Sequence, residues 1–125
     1  MKLMIIGLDG ATWKVMDPLL AEGKLPNLAR LIKGGARATL RSFQYMLSPI
    51  LWTDIATGKL PEKHGVTRYF HTANNLRTKR LWDIVGGEDK SIALWSWPVT
   101  WPPRPVNGFV VPSLFARSSE TYPAD

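Results

Sequence analysis

The chain has no cysteine and only two histidines among its 125 residues. The lack of cysteine excludes disulfides, thiolate metal ligands and cysteine nucleophiles, and it mildly favours a reducing compartment. Neither His64 nor His71 has a second histidine three or four residues away, so neither can form a local metal-binding pair. We therefore expect each histidine to cap a loop or to lie exposed.

Long apolar runs and blocks of like charge are also missing. The first apolar run, Leu3–Leu8, lies between Lys2 and Asp9, and it is too short for a signal peptide or a membrane span. We therefore expect a soluble, cytoplasmic protein without a membrane partner. The net charge of +6 is spread along the chain, which favours anionic partners but does not indicate specific nucleic-acid binding.

The composition and the hydrophobic pattern of the chain are those of one globular α/β domain. Hydrophobic residues make up 45% and charged residues 21% of the chain, which is long enough to form one core. Short apolar strands alternate with helices, and this order predicts a layered α/β fold with a mostly parallel sheet. The predicted strands are Leu3–Leu8, Arg37–Ser42, Ser91–Trp95 and Phe109–Val111, the predicted helices are Ala11–Glu22, Leu28–Lys33, Ser48–Thr57 and Leu81–Val85, and Lys59–Gly65 is predicted to be a polar loop.

Two residues carry the chemistry that such a fold suggests. Asp9 should stand at the carboxyl end of a buried strand, where open α/β sheets bind their ligands. A carboxylate there can hold a divalent ion, although an Asp-Gly pair after a strand is often only a turn. Ser48 should begin a helix as its N-cap, with Pro49 at the first helical position. Its hydroxyl would lie beside the unpaired amide hydrogens of the first turn, where it could attack or hold a phosphate.

Several segments, taken in order, indicate a family more specifically than Asp9 and Ser48 do alone. They are Ile5–Gly10, Leu25–Leu28, Gly35–Ala38, Ser48–Lys59, Pro61–Gly65, Pro98–Pro103 and Val106–Gly108. Together they resemble the N-terminal part of the type I phosphodiesterase/nucleotide pyrophosphatase family, which belongs to the alkaline phosphatase superfamily. The resemblance extends over nearly all 125 residues.

The resemblance implies a three-layer αβα fold around a mostly parallel central sheet. Residues 1–125 would form the N-terminal part of a single alkaline phosphatase-like domain. It also implies a site with two divalent metal ions, zinc or else manganese or magnesium, acting on a phosphate-ester small molecule or a nucleotide. Asp9 matches the first metal-binding aspartate of the family, and Ser48 matches the nucleophile, which also contacts a metal.

The chain departs from the family pattern in two ways. Leu51 stands where many members have an asparagine that holds a phosphoryl oxygen, so the substrate class is left open. The family takes its other metal ligands from later aspartates and histidines, for which His64 and His71 cannot substitute. We therefore expect these 125 residues to be inactive alone.

Two other functions remain open from the sequence. One is a phosphomutase or a sulfatase-like enzyme of the same superfamily. The other is a non-catalytic α/β binding module that works through basic residues such as Arg37 and Arg41. A partial sheet would also leave an apolar face uncovered, which favours a homo-oligomer.

Overall fold

The computed structural model describes residues 2–42 and 46–124, and the chain divides into two compact units, residues 1–41 and 42–125. None of the helices in the described part of the chain has the length and hydropathy that a membrane crossing needs. The helices are α1 (Trp13–Ala21), α2 (Pro26–Gly34), α3 (Ser48–Thr57), α4 (Pro61–His64) and α5 (Leu81–Gly86), and the strands are β1 (Ile92–Trp95) and β2 (Gly108–Val111).

The first unit contains the two helices α1 and α2, close to where the sequence predicts them. Thr12 caps the start of α1 with its hydroxyl, which accepts a hydrogen bond from the amide of Lys14. The helix ends before Gly23, whose φ of +71° lies in the left-handed region that favours glycine. Pro18 lies inside α1. The helix tolerates it even though its ring removes one backbone donor.

The side chains of Arg37 and Trp13 connect the last residues of the first unit to α1. The guanidinium of Arg37 donates two hydrogen bonds, both of 2.9 Å, to the carboxylate of Asp17. The same guanidinium lies 3.8 Å from the centre of the Trp13 ring, and the indole N–H of Trp13 donates to the carbonyl of Ala38. Arg37 is thus bound within its own unit by a bidentate ion pair and a cation–π contact.

The prediction of two strands, Leu3–Leu8 and Arg37–Ser42, is wrong. Residues 3–8 form no strand, and their large apolar side chains are exposed, from 51% for Ile5 to 82% for Met4. Residues 37–42 form no strand either. A strand is stabilised by hydrogen bonds to a neighbouring strand, and the described residues of this unit contain none. Apolar composition alone therefore did not determine the structure of either segment.

The second unit contains a two-stranded parallel sheet, so the α/β class and the parallel pairing are confirmed. β1 pairs with β2 in the register from Ile92 opposite Gly108 to Trp95 opposite Val111. Tyr122 extends the far edge of β2 through an antiparallel bridge to Val110. β1 is only partly buried, because its side chains alternate between half-buried and exposed and Trp95 is 75% exposed. The residues described do not show a three-layer arrangement.

The core of the second unit joins α3 to the long irregular segment after β1. Ile50 packs with Val66 and Val99, each at most 5% exposed, and Leu76 covers this cluster. Burying one such side chain stabilises a fold by about 1.5–3 kcal/mol.

Three tryptophans pack edge to face beside that core. The Trp97 ring lies 5.0 Å from the Trp52 ring and 5.5 Å from the Trp82 ring, measured between centroids. The indole N–H of Trp97 also donates to the backbone carbonyl of Trp52. These rings therefore hold α3 and α5 to the segment after β1, as expected for tryptophans that pack rather than stack on bases.

Helix α5 begins at a buried ion pair. Arg80 precedes the helix, is 4% exposed, and donates from its guanidinium to both oxygens of Asp83 at 2.8 and 2.9 Å. The Asp83 carboxylate also accepts the backbone N–H of Arg80 at 2.8 Å, as the third residue of a helix does in a capping box. Burial by itself raises the pKa of Asp83, but the hydrogen bonds and charge of Arg80, with the charge of Arg104, hold it below its ordinary value.

The Asp83→Asn variant should lower the free energy of unfolding by about 2 kcal/mol at neutral pH, because the charged hydrogen bonds are lost. Since the pKa of Asp83 is lowered in the folded state, its contribution is fully present above the ordinary carboxylate pKa. It is lost as the pH falls through the folded pKa. The difference between wild type and variant in urea unfolding should therefore shrink on acidification.

Asp89→Asn provides a matched control, because Asp89 lies exposed in the turn after α5. Asn tolerates the positive φ of that position about as well as Asp does. A stability difference for Asp83→Asn that stays constant down to strongly acidic pH would contradict the assignment.

Candidate functional site

Ser48 is the first residue of α3 and is partly buried, whereas Pro49 and Ile50 behind it are buried. The helix spans the residues predicted for it, but the N-cap is Leu47, so the predictions of Ser48 as the cap and of Pro49 at the first helical position are wrong by one residue. The extended backbone of Leu47 leads directly into the helix, and the Leu47 side chain has no polar atom to cap it. The start of α3 is therefore fixed by packing of Pro49 and Ile50.

The first turn of α3 offers fewer amide donors than the sequence suggests. The amides of Ile50 and Leu51 both donate to the carbonyl of Leu47 at 3.0 Å, and Pro49 has no N–H. An anion at this helix end would therefore meet the positive end of the helix dipole and the Ser48 side chain, but not a row of unpaired amides.

The other hydroxyls of α3 are used within the helix. Thr53 is 2% exposed and its hydroxyl donates to the carbonyl of Pro49 at 2.7 Å. The hydroxyl of Thr57 donates in the same way to the carbonyl of Thr53 at 2.7 Å. A side-chain hydroxyl that donates to a carbonyl one turn earlier is already engaged and is poorly placed to attack a substrate. Ser48 is thus the hydroxyl of α3 that stands at its N-terminal end.

His64 is fully buried at the end of α4 and connects several parts of the second unit. Its Nε2 lies 2.7 Å from Oδ1 of Asp54 on α3, and its Nδ1 accepts the backbone N–H of Val66 at 3.0 Å. Because Nδ1 accepts, the proton of the neutral ring is on Nε2, which donates to Asp54. The expectation that His64 caps a loop is confirmed, but its burial and its acidic partner were missed.

Asp54 is the residue that sequence reasoning overlooked. Its side chain is 12% exposed, and Oδ2 is buried without a hydrogen-bond partner among the described residues. A buried carboxylate is costly unless it is hydrogen-bonded, so the bond from His64 provides much of its compensation. The available signal was an acidic residue in the middle of an otherwise largely apolar helix, ten residues before the histidine.

The loop between these two partners is more ordered than predicted. Residues 59–65 contain α4, so the polar loop expected there is partly helical. Gly58 ends α3 with a φ of +62°, and its amide donates to the carbonyl of Asp54 at 2.8 Å. His71, further along, is half-buried and accepts the amide of Thr67 on Nδ1 at 3.2 Å, which confirms loop capping there too.

Asp9 lies in the first unit, in an exposed turn with Gly10, whose φ is +70°. The buried strand that was to deliver it is absent, so the turn interpretation describes its local structure. Ser48 belongs to the second unit, and each residue is described within its own unit. Nowhere in residues 2–42 and 46–124 do three or more histidine, cysteine, aspartate or glutamate side chains converge as metal ligands would. The described side chains therefore do not fit a complete metal centre.

The chain matches the family of type I phosphodiesterases / nucleotide pyrophosphatases over residues 3–123. It belongs to this family. Comparisons with curated proteins and with solved structures gave no significant match. Members act on phosphoesters and nucleotides and are generally metal-dependent, as the resemblance of the segments around Asp9 and Ser48 implies.

His64→Ala should lower the free energy of unfolding by about 3 kcal/mol, because it leaves both the Asp54 carboxylate and the Val66 amide buried and unpaired. His71→Ala removes one hydrogen bond at a half-buried loop and should cost about 1 kcal/mol or less. Urea unfolding of both variants measures the difference. Equal losses for the two histidines would contradict the role assigned to the buried imidazole.

Proposed function

We propose that this chain contributes a nucleophile, Ser48, and a metal-binding aspartate, Asp9, to a hydrolase that cleaves phosphodiesters or nucleotide pyrophosphates. The observation that carries the proposal is membership of the family over residues 3–123, together with the position of Ser48 at the N-terminal end of a well-packed helix. The serine is thus held by a rigid element, which positions a reacting group better than a loop does.

The proposed reaction is a double displacement at phosphorus. The Ser48 oxygen attacks the phosphorus atom, the bond to the ester oxygen breaks, and the leaving group departs as an alcohol or a phosphate. Ser48 then carries the phosphoryl group with its remaining substituent, and water attacks that phosphorus, releases a phosphate monoester and restores the hydroxyl. A free serine is a weak nucleophile and must be activated, while the positive end of the α3 dipole favours the anionic phosphoryl group.

Divalent metal ions are part of the proposal because the family implies them. The family implies two, zinc or else manganese or magnesium, with Asp9 and Ser48 among the ligands. Three such ligands do not converge within residues 2–42 and 46–124, so the proposal requires ligands other than the described residues. The chain alone should accordingly be inactive.

The substrate we propose is a phosphate-ester small molecule or a nucleotide. Leu51 is partly buried in α3 and cannot hydrogen-bond a phosphoryl oxygen from the position where many members have an amide. A phosphomutase or sulfatase-like reaction would use Ser48 in the same way. A binding module acting through Arg37 is less well supported, because its guanidinium is already paired with Asp17.

Ser48→Ala in the active, metal-loaded protein should lower kcat by about 10³-fold or more, as removal of a nucleophile does. Hydrolysis of bis(p-nitrophenyl) phosphate measures the rate. Ser91→Ala, which changes an exposed serine outside the helices and strands, should leave kcat unchanged. A Ser48→Ala enzyme that retains most of its kcat would refute the assignment of the nucleophile.

The isolated chain should show no metal-dependent hydrolysis of the same diester with zinc, manganese or magnesium, because its described residues lack a metal-binding cluster. The measurement is product release over background, with and without a chelator. Turnover that is abolished both by the chelator and by Ser48→Ala would show that the 125 residues are sufficient, contrary to this expectation.

A further inference from the structure

A basic groove runs along the second unit beside α4 and the segment that follows it. It consists of two adjoining open cavities of about 500 and about 590 Å³, which share Leu76 and Arg77 in their walls. We propose that this groove binds a small polyanion, a molecule with two or more phosphate groups, at a place distinct from Ser48.

The charge of the groove supports this proposal. Four cationic side chains line it: Arg68, Arg77, Lys79 and Arg104. None of the four forms an ion pair with a carboxylate in residues 2–42 and 46–124. Among the described residues, the acidic side chains in the walls are Glu62 and Asp83. Both carboxylate oxygens of Asp83 already accept hydrogen bonds from the Arg80 guanidinium. In the described part of the chain, four cationic side chains therefore share the walls with two carboxylates, so the groove carries a net positive charge.

Neutral hydrogen-bond donors accompany these cations in the first cavity. His71 accepts the amide of Thr67 on Nδ1, so the proton of its neutral ring is on Nε2, which can donate. The amide side chain of exposed Asn74 also lines this cavity. Phosphate oxygens accept hydrogen bonds from cationic and neutral donors alike, and bonds that involve an ionised group are the stronger ones.

The backbone around Arg77 is fixed before any ligand binds. The amide of Arg77 donates to the carbonyl of His64 at 3.0 Å, and the side chain passes over Gly65. Gly65 has a φ of +83°, and a Cβ there would lie 2.7 Å from the carbonyl of Asn75 and 2.9 Å from Cγ of Arg77. Only glycine allows this close approach, which shapes the wall between the two cavities.

Arg104, in the wall of the second cavity, is also oriented by a hydrogen bond. One of its guanidinium nitrogens donates to the carbonyl of Ala73 at 2.6 Å, and the remaining N–H groups of the fork are not used by that bond. An arginine that is already oriented loses less conformational entropy when it binds a phosphate.

Ser48 does not line either cavity of the groove. The first cavity is lined by Pro61 and Glu62 of α4, which follows the C-terminal end of α3 and is bound to Asp54 through His64. Ser48 is the first of the ten residues of α3, a length of about 15 Å. A ligand in the groove is therefore not the phosphoryl group proposed to react at Ser48.

The lining of the groove favours a small molecule over a nucleic-acid strand. Among the residues that the structure describes, no phenylalanine, tyrosine or tryptophan lines either cavity, whereas grooves for single strands use such rings to stack bases. Because the cations are distributed over both cavities, more than one phosphate is needed to contact them.

Titration calorimetry of the chain with inorganic triphosphate, in chelator and at low ionic strength, tests the proposal. Arg77→Gln should weaken binding about tenfold, since it removes charged hydrogen bonds from the wall that both cavities share. Arg30→Gln makes the same change of charge on the exposed face of α2 and should alter the affinity by less than about twofold. Ser48→Ala should bind triphosphate as the wild type does, whether or not Ser48 is a nucleophile.

Four results would overturn the proposal. They are no detectable triphosphate binding by the wild-type chain, unchanged binding by Arg77→Gln, an equal loss in Arg30→Gln, and loss of binding in Ser48→Ala. Stronger binding of a single-stranded oligonucleotide that triphosphate does not displace would also reject a small-molecule site. If circular dichroism shows that Arg77→Gln is not folded, Lys79→Gln at an exposed loop position replaces it. This variant should also weaken triphosphate binding, and unchanged binding would overturn the proposal.

Discussion

The second unit depends on one buried imidazole. His64 donates to Asp54 of α3 and accepts the amide of Val66 on its ring, and its backbone carbonyl accepts the amide of Arg77. One fully buried residue therefore fixes the spacing of α3, α4 and the segment that forms the basic groove. Because Asp54 has an oxygen without a partner among the described residues, loss of the imidazole would leave a buried carboxylate without its compensating hydrogen bond.

Both proposed sites rely on this arrangement. Ser48 is positioned by α3, whose start is buried through Pro49 and Ile50 and whose C-terminal half is tied to α4 through Asp54. Arg77 is positioned by its amide bond to His64 and by the absence of a side chain on Gly65. The same short stretch, from α3 to the end of α4, thus supports both the hydroxyl proposed to react and part of the groove proposed to bind a polyanion.

The sequence predicted helices α3 and α5 of the second unit from local signals and placed two of the four predicted strands. Helix α3 has the predicted bounds, helix α5 nearly so, and the parallel strands β1 and β2 lie within a residue of their predictions. Capping, helix periodicity and turn residues act over a few positions, so they are visible in the sequence. The strand at Leu3–Leu8 failed because a strand needs a partner, and partners are set by tertiary structure rather than by composition.

The candidate site was also predictable only where its structure depends on neighbouring residues in the chain. The position of Ser48 at the start of a helix follows from Pro49 and the apolar residues behind it, with an error of one residue in the cap. The pairing of Asp54 with His64 links residues ten apart on two helices; the acidic residue within a largely apolar helix was a signal of burial, but it does not identify the partner. The basic groove joins cations from separate stretches of the chain, which appear in the sequence only as scattered charge.

The proposed function requires that Ser48 becomes covalently phosphorylated during turnover. The most direct test is to quench the active, metal-loaded protein with acid during hydrolysis of a phosphodiester and to locate the phosphoryl group by peptide mass spectrometry. We predict one acid-stable phosphoryl group, on the Ser48 side chain. A phosphoryl group on another residue of a catalytically competent protein would contradict this mechanism.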